Sequence, residues 1–352
     1  MTDDRAVRIG IIGGGQWGPN HVRNFAALPD AVVVGLAETS PARRAALARQ
    51  FRGLTLFADH RSLLDESPDA VVIATPTSTH HAIALAALER GIHVLCEKPL
   101  ALTAAEAQEM AMVASERGVV LAVGHVFLFN AGIRRLKELL EAGELGRVRY
   151  LSARRTNLGP IRSDASCVWD LASHDLAILD YLLDTRPISV SAVGGTFLRP
   201  GIEDTAFISL RYPGDTLANV LVSWLDPKKV RELTVVGDHA MVTWDDLAQV
   251  GPLAIYDKRV VRKTYSHDFG DFQLMSREGD VRIPRVVMEE PLRAQARAFL
   301  EAVRTGEAGP VAGTRGVEVA RVLEAIDASM RAGGAPITLA TRREAAPAGR
   351  LS

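Results

Sequence analysis

One segment constrains this chain more than any other. Val7–Ile12 reads as a short, apolar, β-branched strand, and Gly13-Gly14-Gly15-Gln16-Trp17-Gly18 follows it at once, ahead of a stretch of helical period from about Asn20. In a G-x-G-x-x-G pattern set between a strand and a helix, each glycine has its own job: Gly13 makes the tight turn, Gly15 lets a pyrophosphate approach the backbone, and Gly18 lets helix pack on strand. The helix that begins there offers unpaired N–H groups and a partial positive charge to phosphate oxygens. Gln16 and Trp17, inside the turn, join the candidate cofactor contacts. A Walker A loop does not compete, because Pro19 stands where that motif needs a lysine. Glu38 lies 20 residues past Gly18, at the end of the second predicted strand, where a carboxylate bonds the ribose hydroxyls of an adenosine and repels a 2′-phosphate. This favours NAD over NADP. Arg43 and Arg44 pull the other way, since either could meet a 2′-phosphate or stack on adenine, or simply form a solvated helix face.

The rest of the first 125 residues continues the alternation. Predicted strands at 7–12, 32–37, 55–57, 70–74, 93–95 and 119–123 are separated by predicted helices near 20–28, 41–51, 61–64, 80–90 and 103–116. Strands joined by crossover helices make a doubly wound parallel sheet, a Rossmann domain at 1–125. Past Gly124 the rhythm changes. A helix near 133–142, a strand from Val148 and a helix over 170–183 precede successive strands near 188–198, 206–212, 217–225, 230–236 and 241–245, with helices near 293–304 and 316–332. Consecutive strands with short turns predict an α+β domain at 126–340 built on a large, mostly antiparallel open sheet, and the Ala/Pro/Gly/Arg stretch 341–352 reads as a flexible tail.

Composition excludes several classes. The formal net charge is −1 with no basic arm, which argues against nucleic acid as a partner. The longest apolar runs are far shorter than the ~18 residues of a membrane span, and the opening Met1-Thr2-Asp3-Asp4-Arg5 is no secretory signal. Two cysteines, Cys96 and Cys167, fit a reducing cytoplasm, and the nine histidines include no HExxH, so no metal is expected.

Two further segments carry chemistry. Cys96-Glu97-Lys98-Pro99 follows the fifth predicted strand, at the carboxyl edge where ligands bind in such sheets. Only six of the 41 basic residues are lysines, and lysine, unlike arginine, can exchange a proton; a surface lysine beside a turn proline is the bland alternative. Asp170 and His174, four apart on a predicted helix, share one face. A carboxylate beside an imidazole raises its basicity and fixes its orientation, as suits the acceptor of a hydroxyl proton. Alternatively Asp170 is only a helix cap and His174 only a core histidine.

Together, Gly13-x-Gly15-x-x-Gly18, Ala74-Thr75-Pro76 with His80 nearby, Glu97-Lys98-Pro99 and Asp170-x-x-x-His174-Asp175 resemble the Gfo/Idh/MocA family of sugar and polyol oxidoreductases over almost the whole chain. The resemblance implies a nicotinamide-dependent dehydrogenase acting on CH–OH donors, with homodimers or homotetramers built on the open sheet. It implies that Lys98 is the catalytic lysine, that Asp170 and His174 are the acid–histidine pair, and that Thr75, Pro76 and His80 line the nicotinamide side. It also implies a cis Lys98-Pro99 bond.

The segments Gly15-Gln16-Trp17-Gly18-Pro19-Asn20 and 124–130, with His125 and Asn130, are similar to members acting at C3 of nucleotide-linked sugars. Residues 154–169 depart from that subgroup, so Arg155, Arg162 and Trp169 are substrate candidates, either arginine being able to clamp a diphosphate or to be mere surface charge. An NADPH-dependent keto-sugar reductase, a free polyol dehydrogenase and a dinucleotide sensor without chemistry are the competing readings.

Overall fold

The computed structural model describes residues 5–159, 161–162, 165–257, 259–263, 273–277 and 279–339. The expected tail at 341–352 lies outside them. The first half is six parallel strands, β1 (Val7–Ile12), β2 (Ala31–Ala37), β3 (Leu56–Phe57), β4 (Ala70–Ile73), β5 (His93–Cys96) and β6 (Leu121–Val123), in the order β3-β2-β1-β4-β5-β6. All four residues of β4 are buried, as the uninterrupted Ala-Val-Val-Ile run requires of a strand covered on both faces. The crossovers are α1 (Gly18–Ala26), α2 (Pro41–Gln50), α3 (His60–Leu64), α4 (His80–Leu88) and α5 (Ala104–Arg117). Their ends follow local chemistry. Ser40 caps α2 ahead of Pro41, Thr103 caps α5 by accepting from the Glu106 N–H at 3.1 Å, and Gly118 ends α5 at φ +66°. The strand order reverses between β1 and β4, so the loops after these strands, at Gly13 and Ala74, open the crevice where a doubly wound sheet binds its ligand.

The second sheet has nine strands: β7 (Val148–Leu158), β8 (Ser189–Gly195), β9 (Thr205–Arg211), β10 (Leu217–Ser223), β11 (Leu225–Gly237), β12 (Met241–Asp245), β13 (Leu253–Tyr256), β16 (Val281–Arg282) and β17 (Ile337–Thr338). β14 (Arg259–Lys263) and β15 (Gln273–Arg277) pair separately. The order is β16-β13-β12-β11-β7-β10-β9-β8-β17, antiparallel except for the β7–β10 pair. Strict alternation in β9, with Ala206, Ile208 and Leu210 buried and Phe207, Ser209 and Arg211 exposed, gives the sheet one covered and one open face. α6 (Ala131–Glu141), α7 (Ser173–Leu183), α8 (Pro291–Thr305) and α9 (Gly313–Arg331) complete the fold. The last two return to the first half: Phe299 meets Phe25 edge to face at 6.4 Å, and Ala312 bridges Ala122 of β6.

One element differs from its expected form. The helix expected to run unbroken from Asp170 is a π-helical turn over Val168–Ala172 followed by α7, so Asp170 sits on a widened turn rather than one α-turn below His174. No described helix is long and apolar enough to cross a membrane, and no cluster of potential metal ligands occurs among the described residues.

Candidate active site

The glycines after β1 act in three ways. Gly13 has φ +101°, and a Cβ there would stand 2.5 Å from the Ala74 carbonyl; a Cβ on Gly18 would lie 1.9 Å from the Gly13 carbonyl. Gly15 faces open space instead, with no atom nearer than 3.9 Å to an added Cβ. The turn therefore leaves room for a phosphate against bare backbone at the start of α1, whose N-cap residue Trp17 supplies no side-chain bond to the free N–H groups. Glu38 closes the far side. Its carboxylate accepts from Gly14 N–H at 2.9 Å and Ser40 N–H at 2.8 Å, so it is oriented before any ribose arrives. Arg44 donates to the Glu38 and Thr39 carbonyls at 2.6 and 2.9 Å, while the guanidinium of Arg43 is the neighbour nearest the open side of Gly15.

From this turn a cleft of about 680 Å³ runs between the two sheets, lined by Gln16, Trp17, Thr75, Glu97, Lys98, Asp170 and His174 among others. The Lys98-Pro99 bond is cis. His80, nearly fully buried, lies 3.0 Å from both the Thr75 and Pro99 carbonyls and ties those two loops together from behind; burial holds its pKa below the ordinary value. Glu97 faces inward, its carboxylate 2.8 Å from His21 Nε2 of α1, a partner the sequence reading did not name. Pro76 begins the short turn over Thr77–Thr79.

Lys98 reaches across to the second half. Its Nζ donates to the Asp170 carbonyl at 2.9 Å and approaches Asp170 Oδ1 at 3.3 Å, and Arg162 Nη1 reaches the same oxygen at 3.4 Å. Burial lowers the lysine pKa, partly opposed by Asp170 and Glu97. His174 stands on the same cleft wall, its ring 4.9 Å from Phe127 edge to face. The expected Asp170–His174 pair is not formed among the described contacts. Asp170 serves Lys98 and Arg162, and His174, desolvated and facing Lys98 and Arg155, is driven well below the ordinary histidine pKa rather than raised. Both effects favour the neutral imidazole.

The substrate candidates divide. Arg162 lines the cleft. Arg155 reaches the cleft wall but is 2% exposed, and its Nε and Nη2 donate to Asp175 at 2.8 and 3.0 Å with the guanidinium 4.3 Å over Phe127. Its bidentate face is occupied, which corrects its expected use as a diphosphate clamp. Asn130 caps α6, accepting from Gly132 N–H and Trp244 Nε1–H and donating to Asp246. Trp169 donates to Asp327 of α9 at 2.8 Å. His125 is buried beneath the cleft, its pKa pushed down to about 3 chiefly by that burial. None of these three is among the residues that line the cleft. Conversely Asn157, Leu158, Pro227, Lys229 and Arg231 line the cleft without having been singled out, because their approach depends on how β7 and β11 pair.

Residues 7–125 match the model of the oxidoreductase family with an NAD-binding Rossmann fold, and residues 133–243 match the GFO/IDH/MocA C-terminal domain. A UDP-N-acetylglucosamine 3-dehydrogenase of Acidithiobacillus ferrooxidans is 34% identical over 233 residues, covering 65% of this chain and 71% of the relative. An inositol 2-dehydrogenase of Acidothermus cellulolyticus is 31% identical over 231 residues, 63% of this chain and 68% of the relative. A solved structure of the Acidithiobacillus enzyme superposes with TM-score 0.79 at 27% identity, covering 93% of this chain and 98% of that one. With both family domains matched in order and the glycine turn, lysine and histidine on one cleft, the chain belongs to the Gfo/Idh/MocA oxidoreductases.

Proposed function

We propose that this protein is an NAD-dependent dehydrogenase that moves a hydride between nicotinamide and a secondary alcohol or ketone of a sugar, with a nucleotide-linked sugar as substrate and C3 as the reacting carbon. The observation that carries the reading is the Lys98–Asp170 contact beside His174, on a cleft that begins at the dinucleotide turn. NAD, when bound along Gly13, Gly15, Gln16, Trp17, Gly18 and Glu38, supplies the hydride acceptor. The protein's own residues handle the proton and the charge. His174, neutral because it is desolvated among cations, accepts the hydroxyl proton. Lys98 stabilises the developing oxyanion, and Asp170 orients it. Because burial lowers the lysine pKa, Lys98 is also able to exchange the proton.

The preoriented Glu38 carboxylate supports NAD over NADP. The relative that acts as a UDP-N-acetylglucosamine 3-dehydrogenase supports a nucleotide-linked substrate, while the inositol 2-dehydrogenase relative supports free polyols as the second reading. We place the enzyme in the cytoplasm as a homodimer or homotetramer, the open sheet face with Tyr150, Val193, Phe207 and Leu217 exposed being the surface available for assembly. The test is to follow NADH and NADPH formation with UDP-N-acetylglucosamine, N-acetylglucosamine and myo-inositol, in the native enzyme and in Lys98→Ala. NADH formed from the nucleotide sugar and lost in the variant supports the reading; turnover of myo-inositol alone moves it to the polyol class, and turnover unaffected by Lys98→Ala overturns the assigned chemistry.

A further inference from the structure

We propose that Lys229 is the receptor for an anionic substituent of the substrate, phosphoryl or carboxylate, held beyond the reacting carbon. The inference rests on the sugar dehydrogenase reading above and adds the group that selects the substrate.

The placement comes from a break in strand register. β7 and β11 pair without slippage from Tyr150–Val236 to Thr156–Val230, and again at Leu158–Leu225. Between those last two pairs β7 advances two residues and β11 five, so β11 carries three extra residues and Asp226-Pro227-Lys228-Lys229 bulges out of the ladder. The excursion is anchored at both ends. Arg154 donates to Asp226 at 2.8 Å, and Val230 is buried. What it carries to the cleft wall are Pro227 and Lys229.

The cations around Lys229 are already matched. Arg155 holds Asp175, Arg231 holds Asp246 at 2.9 Å, and Lys98 holds Asp170. The cleft's carboxylates are engaged too, Glu97 with His21 and Asp170 with Lys98 and Arg162. The ammonium of Lys229 makes no hydrogen bond or ion pair with any described residue. An anion entering the cleft therefore gains this charge without breaking an existing pair, whereas taking Arg155 would strand the buried Asp175 carboxylate and taking Arg231 would break its pair with Asp246. A lysine also suits an exposed, adjustable contact, being a point charge on a flexible stem.

Lys229 and His174 line the same cleft from different elements, the β11 bulge and α7, so the proposed receptor and the proposed proton acceptor address different parts of one substrate.

The experiment compares the NAD-loaded native enzyme with Lys229→Ala, Lys229→Glu and Lys229→Arg. Probes are UDP-N-acetylglucosamine, glucuronate, and the neutral N-acetylglucosamine and myo-inositol. Expected in Lys229→Ala is a rise in KM of about tenfold for the anionic substrates, the size of one charge-assisted bond at a partly exposed site, with kcat nearly unchanged. Lys229→Glu should raise KM further, Lys229→Arg should recover most of the loss, and the neutral substrates should not respond. The phosphoryl and carboxylate arms tell which anion is read. An unchanged KM for both anions, an equal change for neutral sugars, or weakened NADH affinity in Lys229→Ala overturns the proposal while leaving the dehydrogenase reading intact. If no sugar is turned over, calorimetric titration of the NADH-bound enzyme with UDP-N-acetylglucosamine still decides: affinity lost in Lys229→Ala supports the receptor although the reaction assigned above has failed, and no binding, or binding equal in native and variant, overturns it.

Discussion

Arg155 and Asp175 form the most enclosed ion pair near the cleft, and removing either partner tests whether the arginine is structural or substrate-facing. The side chains are 2% and 4% exposed and share two bonds of 2.8 and 3.0 Å. Asp175→Leu leaves a guanidinium unpaired, and Arg155→Met leaves a carboxylate unpaired; each should cost about 3–5 kcal/mol, because a buried charge without a partner keeps its desolvation penalty. Arg155→Met additionally loses the 4.3 Å contact of the guanidinium with the Phe127 ring, worth about 1–2 kcal/mol when desolvated, so it should be the worse of the two. The double variant replaces the pair with apolar side chains of comparable bulk and should come close to the native stability, since such replacement is about neutral. Urea unfolding of the four proteins, followed by circular dichroism, reads all three values. The reasoning fails if either single variant loses less than about 1 kcal/mol, or if the double variant loses the sum of the singles, the result expected within ~0.5 kcal/mol for uncoupled sites. Full stability of Arg155→Met together with a raised KM for an anionic substrate would return Arg155 to substrate binding.

Lys98→Ala and His174→Ala should each lower kcat by about 100-fold or more with NADH affinity nearly intact, the size of lost acid–base help, and Lys98→Arg should not rescue; near-native turnover in either alanine variant would remove that residue's role. Glu38→Ala should weaken NADH and improve NADPH binding in fluorescence titrations, although it also strips the acceptor from Gly14 and Ser40, so an unimproved NADPH affinity would shift phosphate discrimination to Arg43. Burial holds His80, His125 and His174 below the ordinary value of 6.5 in the folded protein, so as pH falls through 6.5 the unfolded chain gains protons first. Stability should drop by up to about 1.4 kcal/mol per pH unit for each such histidine, down to about pH 3 for His125, and a Tm flat between pH 7 and 5 would contradict the burial of all three.

The parallel sheet was legible because strands covered on both faces must be apolar throughout, as in Ala70–Ile73, and because the glycine turn has a narrow set of uses. The scarcity of lysine singles out Lys98, which lines the cleft and bonds Asp170. Hidden features depend on pairing rather than on type or spacing. Nothing in Arg155 and Asp175, 20 residues apart, distinguishes a buried bidentate pair from two surface charges until β7 packs against α7. Asn130 and Trp169 lie in segments whose pattern suggests substrate contact, yet Gly132 and Trp244 claim the first and Asp327 the second. The bulge that carries Lys229 is a property of register between two strands, which single-strand patterns do not encode.

The partner that Asp170 chooses changes the division of labour in the site. A carboxylate bonded to His174 would have raised the basicity of the imidazole and fixed its orientation. On its π-helical turn, Asp170 instead presents both its carbonyl and its carboxylate to Lys98, so the acidic charge offsets part of the cost of burying an ammonium. His174 is left beside cations and aromatic carbon, which lowers its pKa and favours the neutral ring that the proposed reaction uses as acceptor. In the proposed reaction this arrangement would separate the two tasks of alcohol oxidation, with His174 taking the proton and Lys98 holding the charge that appears on oxygen. Asp170→Asn tests the separation directly. It should slow turnover through Lys98, whose pKa loses the group that opposes its burial, and shift the lysine-like limb of the pH profile of kcat/KM to lower pH; native turnover with that limb unmoved would mean that Asp170 does not act through Lys98.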